Sequence, residues 1–133
     1  MAEGFKLEIV NPEKSFLSKD NVSEVIVPAF EGDMGILKDH ISIISFLKPG
    51  LVKIIESGTN EETYYVEDGI IEFKNNCLSI LTSHIFDIKN IDKNQVNDIL
   101  SQAEKDSQKK DLSDQKKYLI DQKIEVLKSL TLN

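Results

Sequence analysis

Arginine and tryptophan are both absent from this 133-residue chain, and all 16 of its basic residues are lysines. Without arginine there is no guanidinium fork to bind phosphate through two hydrogen bonds, which argues against phosphoryl transfer. The single cysteine, Cys77, excludes an internal disulfide and suits a reducing compartment. No run approaches the ~20 apolar residues of a membrane helix. The N-terminus lacks a basic region followed by an apolar stretch, so no signal peptide is expected.

The charge of the chain limits its partners and divides it in two. A net charge of −7 at pH 7 argues against nucleic acid as the main partner. Residues 1–88 hold 7 lysines and 15 acidic residues, whereas residues 89–133 hold 9 lysines and 8 acidic residues. This shift in charge predicts two domains, residues 1–88 and residues 89–133.

The first domain shows the pattern of β-strands. Apolar residues alternate in stretches such as FKLEIVN, with Phe5, Leu7 and Ile9 on one face. Such stretches recur at roughly 8–12-residue spacing, and KPG, EDG and KNN segments separate them, where Gly or Asn can adopt positive φ. No helical period interrupts the strands, so a βαβ fold is not expected. The pattern predicts an all-β, antiparallel sandwich of about ten short strands.

The second domain shows two helical stripes and contains neither glycine nor proline. Asp92 and Ser113 are the expected N-caps of the two helices. The apolar stripes comprise Val96, Ile99, Leu100 and Ala103, and then Leu119, Ile120, Ile124, Leu127 and Leu130. The short connection between them predicts an antiparallel α-helical hairpin. Because isolated helices of this length are marginal in water, the hairpin needs a surface to pack on.

The stretch EGDMGILKDHISIISFLKPG, residues 31–50, holds most of the candidate site residues. Gly32, Gly35 and Gly50 are expected at turns. The EGDMG segment is not followed by Lys-Ser/Thr and does not open a helix, so it does not predict a phosphate site.

Three ionisable residues of the same stretch leave an enzymatic alternative open. A small hydrolase could use Asp33, Asp39 or His40, although no orienting partner accompanies them in the sequence. Their spacing matches no pattern of metal ligands. We therefore expect no catalytic residue, no metal and no cofactor, and a binding or assembly function.

This stretch also resembles the ε-subunit family of bacterial F-type ATP synthases. The family has E-G-[DE]-x-G-[IV], then a His, an apolar run and an [LI]-K-P-G turn. The matching positions are Glu31, Gly32, Asp33, Gly35, Ile36, His40 and Leu47 to Gly50. The FKLEIVN and YYVEDGIIEFK segments extend the resemblance through the first domain. Lys38-Asp39 departs from the Pro-Gly that usually precedes the His.

The resemblance implies a rotor subunit rather than an enzyme. It implies that the sandwich joins the γ subunit to the c-ring of a proton- or sodium-translocating synthase. The protein would then lie at the cytoplasmic face of the bacterial inner membrane, bound to the membrane only through the complex. An unrelated cytosolic β-sandwich adaptor remains the alternative, because a fold does not determine a function.

The resemblance also assigns contacts to individual residues. It places the c-ring contact at Glu31, Asp33 and His40. It implies that the hairpin can meet the catalytic α and β subunits transiently and modulate ATP hydrolysis. Lys116, Lys117, Lys123 and Lys128 could supply the basic contacts, or they could form an ordinary solvated face. Many relatives carry [IL]-D-x-x-R-A, a pattern associated with ATP binding. Only Ile91 and Asp92 match it here, and the missing Arg-Ala pair argues against regulation by nucleotide.

Overall fold

The computed structural model describes residues 4–12, 14–56 and 60–131, and this part of the chain forms nine β-strands followed by two α-helices. The strands are β1 (Phe5–Asn11), β2 (Lys14–Ala29), β3 (Gly32–Leu37), β4 (Ile43–Leu47), β5 (Gly50–Glu56), β6 (Glu61–Val66), β7 (Gly69–Lys74), β8 (Cys77–Leu81) and β9 (Ile85–Asp87). The helices are α1 (Lys93–Ser107) and α2 (Asp114–Thr131). The predicted sandwich with a C-terminal helical hairpin is confirmed, and the domain boundary at residue 88 stays a prediction. Neither described helix is long and apolar enough to cross a membrane.

The strands are linked in one hydrogen-bonded path. Their order is β1-β8-β7-β4-β2-β5-β6-β9, with β3 paired to β2 and β1 also paired to β2. The 16-residue β2 pairs with β1 through its first part and with β3 and β5 through its second part, so it connects the two halves of the sandwich. The β1–β8 pair is parallel, which the antiparallel prediction did not anticipate.

The core lies between the two layers and follows the period of two along each strand. Phe5, Leu7 and Ile9 are buried as predicted, whereas Lys6 is exposed. The core residues are Phe5, Leu7, Ile9, Val22, Val25, Val27, Ile36, Leu47, Val52, Ile54, Tyr64, Val66, Ile71, Phe73, Leu78 and Ile80. Each buried side chain of this kind contributes roughly 1.5–3 kcal/mol. A one-residue slip would expose a strand's whole apolar set, so the core also fixes the register that positions the loops.

The two helices begin at the predicted caps. The Asp92 side chain accepts a hydrogen bond from the Asn94 N–H at 2.9 Å, and Ser113 Oγ accepts one from the Lys116 N–H at 3.2 Å. These bonds satisfy N–H groups that a helix leaves unpaired at its start. The two helices pack along each other, as expected for a hairpin.

The hairpin covers one outer face of the sandwich, which we call the covered face and which comprises β5, β6 and β9. Tyr64 points into the core, so the next residue, Tyr65, points outward to the helices. Tyr65, Val96 and Leu127 are fully buried there, and Phe86 stacks on Tyr65 with ring centroids 6.0 Å apart. The sandwich therefore supplies the surface that the hairpin needs.

Candidate functional site

Two predicted site residues lie where β2 turns into β3, Glu31 in the turn itself and Asp33 as the second residue of β3. Glu31 and Asp33 are both exposed. Gly32 between them has a φ of 134°, which only glycine adopts readily. A Cβ at Gly32 would meet nothing within 4 Å, so the backbone rather than space requires glycine. We call residues 31–33 the acidic turn, because it presents two carboxylates to solvent.

The other two glycines occupy different settings. Gly35 lies inside β3, paired with Ile26, so the turn expected at Gly35 is wrong. Gly50 is the last residue of the KPG turn and the first of β5, and a Cβ added to it would lie 2.5 Å from Pro28 Cβ. The KPG turn is also held to β2 by a 3.0 Å hydrogen bond from the Lys48 N–H to the Pro28 carbonyl. Gly50 thus permits a close approach between the two strands.

His40 lies in the loop between β3 and β4, which is held against the β7–β8 turn. Asp39 has a φ of 65°, a backbone conformation that glycine adopts readily. This agrees with the glycine that usually precedes the histidine in the family that the stretch resembles. The Asp39 N–H donates to Asn76 Oδ1 at 2.7 Å, and Asn76 Nδ2 donates back to Asp39 Oδ1 at 2.9 Å. The His40 ring meets the Phe73 ring edge-on, with centroids 5.9 Å apart. His40 is therefore part of a structured loop.

The three residues predicted to contact the c-ring do not meet in space. Glu31 and Asp33 lie at the start of β3, whereas His40 follows its end. β3 has six residues, which at ~3.3 Å per residue span roughly 17 Å. Glu31 and Asp33 can share one contact, but His40 belongs to the opposite end of the strand.

The geometry does not support the hydrolase alternative. Asp39 is engaged by Asn76, and His40 Nδ1 lies 2.8 Å from the Ile41 carbonyl, to which it can donate. Asp33 lies at the other end of β3 from both. Among the described residues, no three His, Cys, Asp or Glu side chains are placed to hold a metal ion. The nucleophile, base and orienting group that catalysis requires do not converge here.

The pair related to the ATP-binding pattern has structural partners instead. Asp92 caps α1 through the Asn94 N–H, and Ile91 is half-buried against the cluster around Tyr65. Both residues thus have structural roles, and a nucleotide contact at Ile91 and Asp92 stays a prediction.

A row of exposed apolar side chains, which the sequence reasoning missed, crosses the second outer face. Phe46, Ile70 and Leu81 lie directly opposite one another on β4, β7 and β8, and they are 59%, 41% and 49% exposed. Phe30, next to the acidic turn, extends the row, and its N–H donates to the Phe46 carbonyl at 3.3 Å. We call these four residues the apolar row and the outer face of β4, β7 and β8 the bare face. The signal was present in ISIISFL and GIIEF, where neighbouring apolar residues make both faces of a strand apolar.

Helix α2 overhangs the apolar row and completes a groove of about 850 Å³. Gln115 and Leu119 of α2 line it opposite the row, and Asp68 and Ser83 also contribute. Monomeric proteins rarely expose contiguous apolar strips of this kind unless another molecule covers them. The groove and the row are therefore the surface best suited to binding a protein.

Comparisons with known proteins identify the family to which this fold belongs. The family model described as "ATP synthase, Delta/Epsilon chain, beta-sandwich domain" matches residues 4–88. The chain is 68% identical over 130 residues to the ATP synthase epsilon chain of Pelagibacter ubique, with 98% of this chain and 99% of the relative covered.

Two solved structures share the fold. A chain in the Euglena gracilis mitochondrial ATP synthase, in a structure of its OSCP, F1 and c-ring, gives a TM-score of 0.74 at 20% identity, over 98% of this chain and 80% of that chain. A chain in the central stalk and c-ring of the Tetrahymena thermophila mitochondrial ATP synthase gives 0.70 at 19% identity, over 95% of both chains. The family model spans the sandwich and the Pelagibacter relative matches nearly the whole sequence, so this chain belongs to the epsilon-chain family of ATP synthases.

Proposed function

We propose that this chain is the central-stalk subunit that links the γ subunit to the c-ring of a proton- or sodium-translocating F-type ATP synthase, and that it catalyses no reaction itself. The observation that carries the proposal is the apolar row, which runs up to the acidic turn at Phe30 in a chain of this family. The adaptor alternative is not favoured, because the near-full-length match is to an epsilon chain.

The apolar row is the proposed contact with the γ subunit. Three of its four side chains, Phe46, Ile70 and Leu81, project from hydrogen-bonded strands, so binding would not require these strands to become ordered. Exposed aromatic and aliphatic side chains grouped on a rigid face are typical of the centre of a protein interface. Phe46, the most exposed of the four, is the expected anchor.

The acidic turn is the proposed contact with the c-ring. Glu31 and Asp33 are exposed, so they can pair with polar or basic groups of c-subunit loops and set the register of that contact. His40 lies beyond the other end of β3, so it would reach the c-ring at a separate point if it contributes. We place the main c-ring contact at the acidic turn.

The hairpin is the proposed transient contact with the catalytic α and β subunits. Lys116, Lys117 and Lys128 are exposed on α2 and could meet acidic surfaces, thereby modulating ATP hydrolysis. Lys123 is half-buried and engaged within this chain. The proposed location is the cytoplasmic face of the bacterial inner membrane, reached as a peripheral subunit through γ and the c-ring.

Binding to catalytic heads prepared with γ but without their own epsilon chain tests the proposed function. Isothermal titration should show tight binding of the wild-type chain. Ile70→Asp should weaken it about 100-fold, because a charge would be buried at the centre of the contact. Lys74→Gln is the matched control, since it changes the net charge by the same amount on the same face of β7 and should leave the affinity unchanged.

The outcomes separate the parts of the proposal. Wild-type chain that fails to bind these heads would contradict the central-stalk assignment. Tight binding by a folded Ile70→Asp variant would keep the assignment but move the γ contact off the apolar row. For the c-ring, Glu31→Gln with Asp33→Asn should weaken binding to the complete membrane complex about fivefold and leave binding to the isolated heads unchanged.

A further inference from the structure

We propose that Glu67 and Lys123 form a latch that fastens the helical hairpin to the sandwich, and that opening this latch releases both helices as one unit. Glu67 lies in the turn between β6 and β7, and Lys123 lies on α2. Their side chains meet at the junction between the hairpin and the covered face. The latch would act whether or not the partners proposed above are correct.

Among the described residues, the hairpin buries its apolar side chains against the sandwich mainly near one of its ends. Val96 near the start of α1 and Leu127 near the end of α2 are the hairpin residues fully buried against the cluster at Tyr65. The half-buried residues around them are Leu51, Phe86, Ile91, Ile99, Leu100, Val126 and Leu130. We call this cluster the seal. The connection from β9 to α1 passes through Ile91 at the same end, so it can serve as a hinge.

The opposite end of the hairpin has weak support. Leu119 lines the open groove rather than the seal, and Tyr118 is 40% exposed. The Lys48 ammonium lies 3.4 Å from the Tyr118 hydroxyl at an exposed site, where such a contact stabilises little. The seal and its surroundings therefore carry most of the attachment.

The ion pair of the latch is partly removed from water. Lys123 Nζ lies 3.1 Å from Glu67 Oε1, and the two side chains are 25% and 17% exposed. Lys123 lies four residues before Leu127 and four after Leu119, so it sits within the apolar stripe of α2. A lysine at such a position is expected to have an acidic partner, because burying an unpaired charge is unfavourable.

Other polar groups meet the same carboxylate. His84 Nδ1 lies 3.6 Å from Glu67 Oε2. The Tyr65 hydroxyl is a buried polar atom for which the described residues provide no hydrogen bond of good geometry. Burial and the nearby Glu67 carboxylate raise the pKa of Tyr65, which keeps its phenol neutral. Glu67 is thus the polar centre of an otherwise apolar junction.

This arrangement makes docking of the hairpin depend on the Glu67–Lys123 pair more strongly than the small net contribution of the pair to stability suggests. A half-buried ion pair adds little to stability, but removing one partner leaves the other charge desolvated and uncompensated. The hairpin therefore docks most stably when both Glu67 and Lys123 are present and paired. In the docked hairpin Lys123 is paired with Glu67. Release of the hairpin would expose the Lys123 ammonium together with the apolar surface of the seal.

Hydrogen exchange of the full chain tests the latch. Glu67→Gln and Lys123→Gln should each make the amides of both helices exchange about fivefold faster, because released helices of this length are marginal in water. The amides of the sandwich core should keep their rates. The combined Glu67→Lys, Lys123→Glu variant should restore slow exchange in the helices.

The control is Glu62→Gln, a change in β6, the strand that leads into the turn holding Glu67. Glu62 Oε2 lies 3.1 Å from Lys19 Nζ, so this change removes an ion pair of equal length inside the sandwich and should leave the helices unaffected. Unchanged helix exchange in both single variants would overturn the latch. Equal acceleration in helices and sandwich, or different rates for α1 and α2, would overturn release as a unit. Failure of the charge reversal to restore protection would overturn the role of the pair.

Discussion

The two outer faces of the sandwich differ in what covers them rather than in the kind of side chains they present. Tyr65 on the covered face and Phe46 on the bare face are both aromatic residues that project outward from a strand. Tyr65 is fully buried by the hairpin, whereas Phe46 is 59% exposed. The chain therefore provides its own cover for one apolar face and leaves the other exposed.

Removing the cover should abolish the difference and is the largest change we expect. Without residues 91–133 the seal is exposed, while the core between the layers remains. The shortened chain should stay folded by its β-sheet circular dichroism, but it should bind the dye ANS several-fold more strongly and associate at high concentration. A shortened chain that unfolds, or that binds ANS like the full chain, would contradict this view of the covered face.

Truncating one aromatic residue on each face should sharpen the comparison. Tyr65→Ala should lower the free energy of unfolding by about 3 kcal/mol, because it removes a buried ring, whereas Phe46→Ala should change it by less than about 0.5 kcal/mol. Urea denaturation followed at 222 nm measures both values. Similar losses for the two variants would mean that the bare face is not exposed in solution.

The fold was accessible from the sequence because its signals are local. Alternation predicted the strands, and Asp92 and Ser113 marked the helix starts through side-chain oxygens that cap them. The site was less accessible because it depends on distance in space. Asp33 and His40 are seven residues apart, yet a straight strand separates them. The apolar row was missed because a strand apolar on both faces does not reveal which face will be covered.

Gly69→Ala should disturb the bare face alone. Gly69 begins β7 with a φ of 155°, and a Cβ there would lie 2.5 Å from the Leu81 carbonyl oxygen. The strain should lower the free energy of unfolding by about 2 kcal/mol. It should also shift Ile70 against Leu81, so binding to the catalytic heads with γ should weaken more than stability alone explains. Wild-type binding by the folded variant would show that the alignment of the row is unimportant.

The smallest expected effect is a dependence on alkaline pH that differs between the two tyrosines of β6. Burial, with the Glu62 and Asp87 carboxylates, raises the pKa of Tyr64 to about 12. Because the pKa of Tyr64 is higher in the folded state, its neutral phenol contributes stability to the fold. That contribution is fully present below the unfolded-state pKa of about 10 and is lost as the pH rises through the folded-state pKa. Between pH 10 and 12, Tyr64→Phe should therefore reduce the loss of sandwich stability. Tyr65→Phe should instead reduce the loss of helix docking, as followed by hydrogen exchange. Loss of stability at a lower pH would contradict the raised values.

The groove has walls from two parts of the molecule, Ile70 from the sheet and Leu119 from α2. An occupant that contacts both walls binds the chain with a docked hairpin better than the chain with a released hairpin, so its binding stabilises the docked state. Thermodynamic reciprocity then requires the docked hairpin to raise the occupant's affinity by the same factor. Binding at the bare face and docking at the covered face would then be coupled. A single coupling free energy would describe both the effect of binding on docking and the effect of docking on binding.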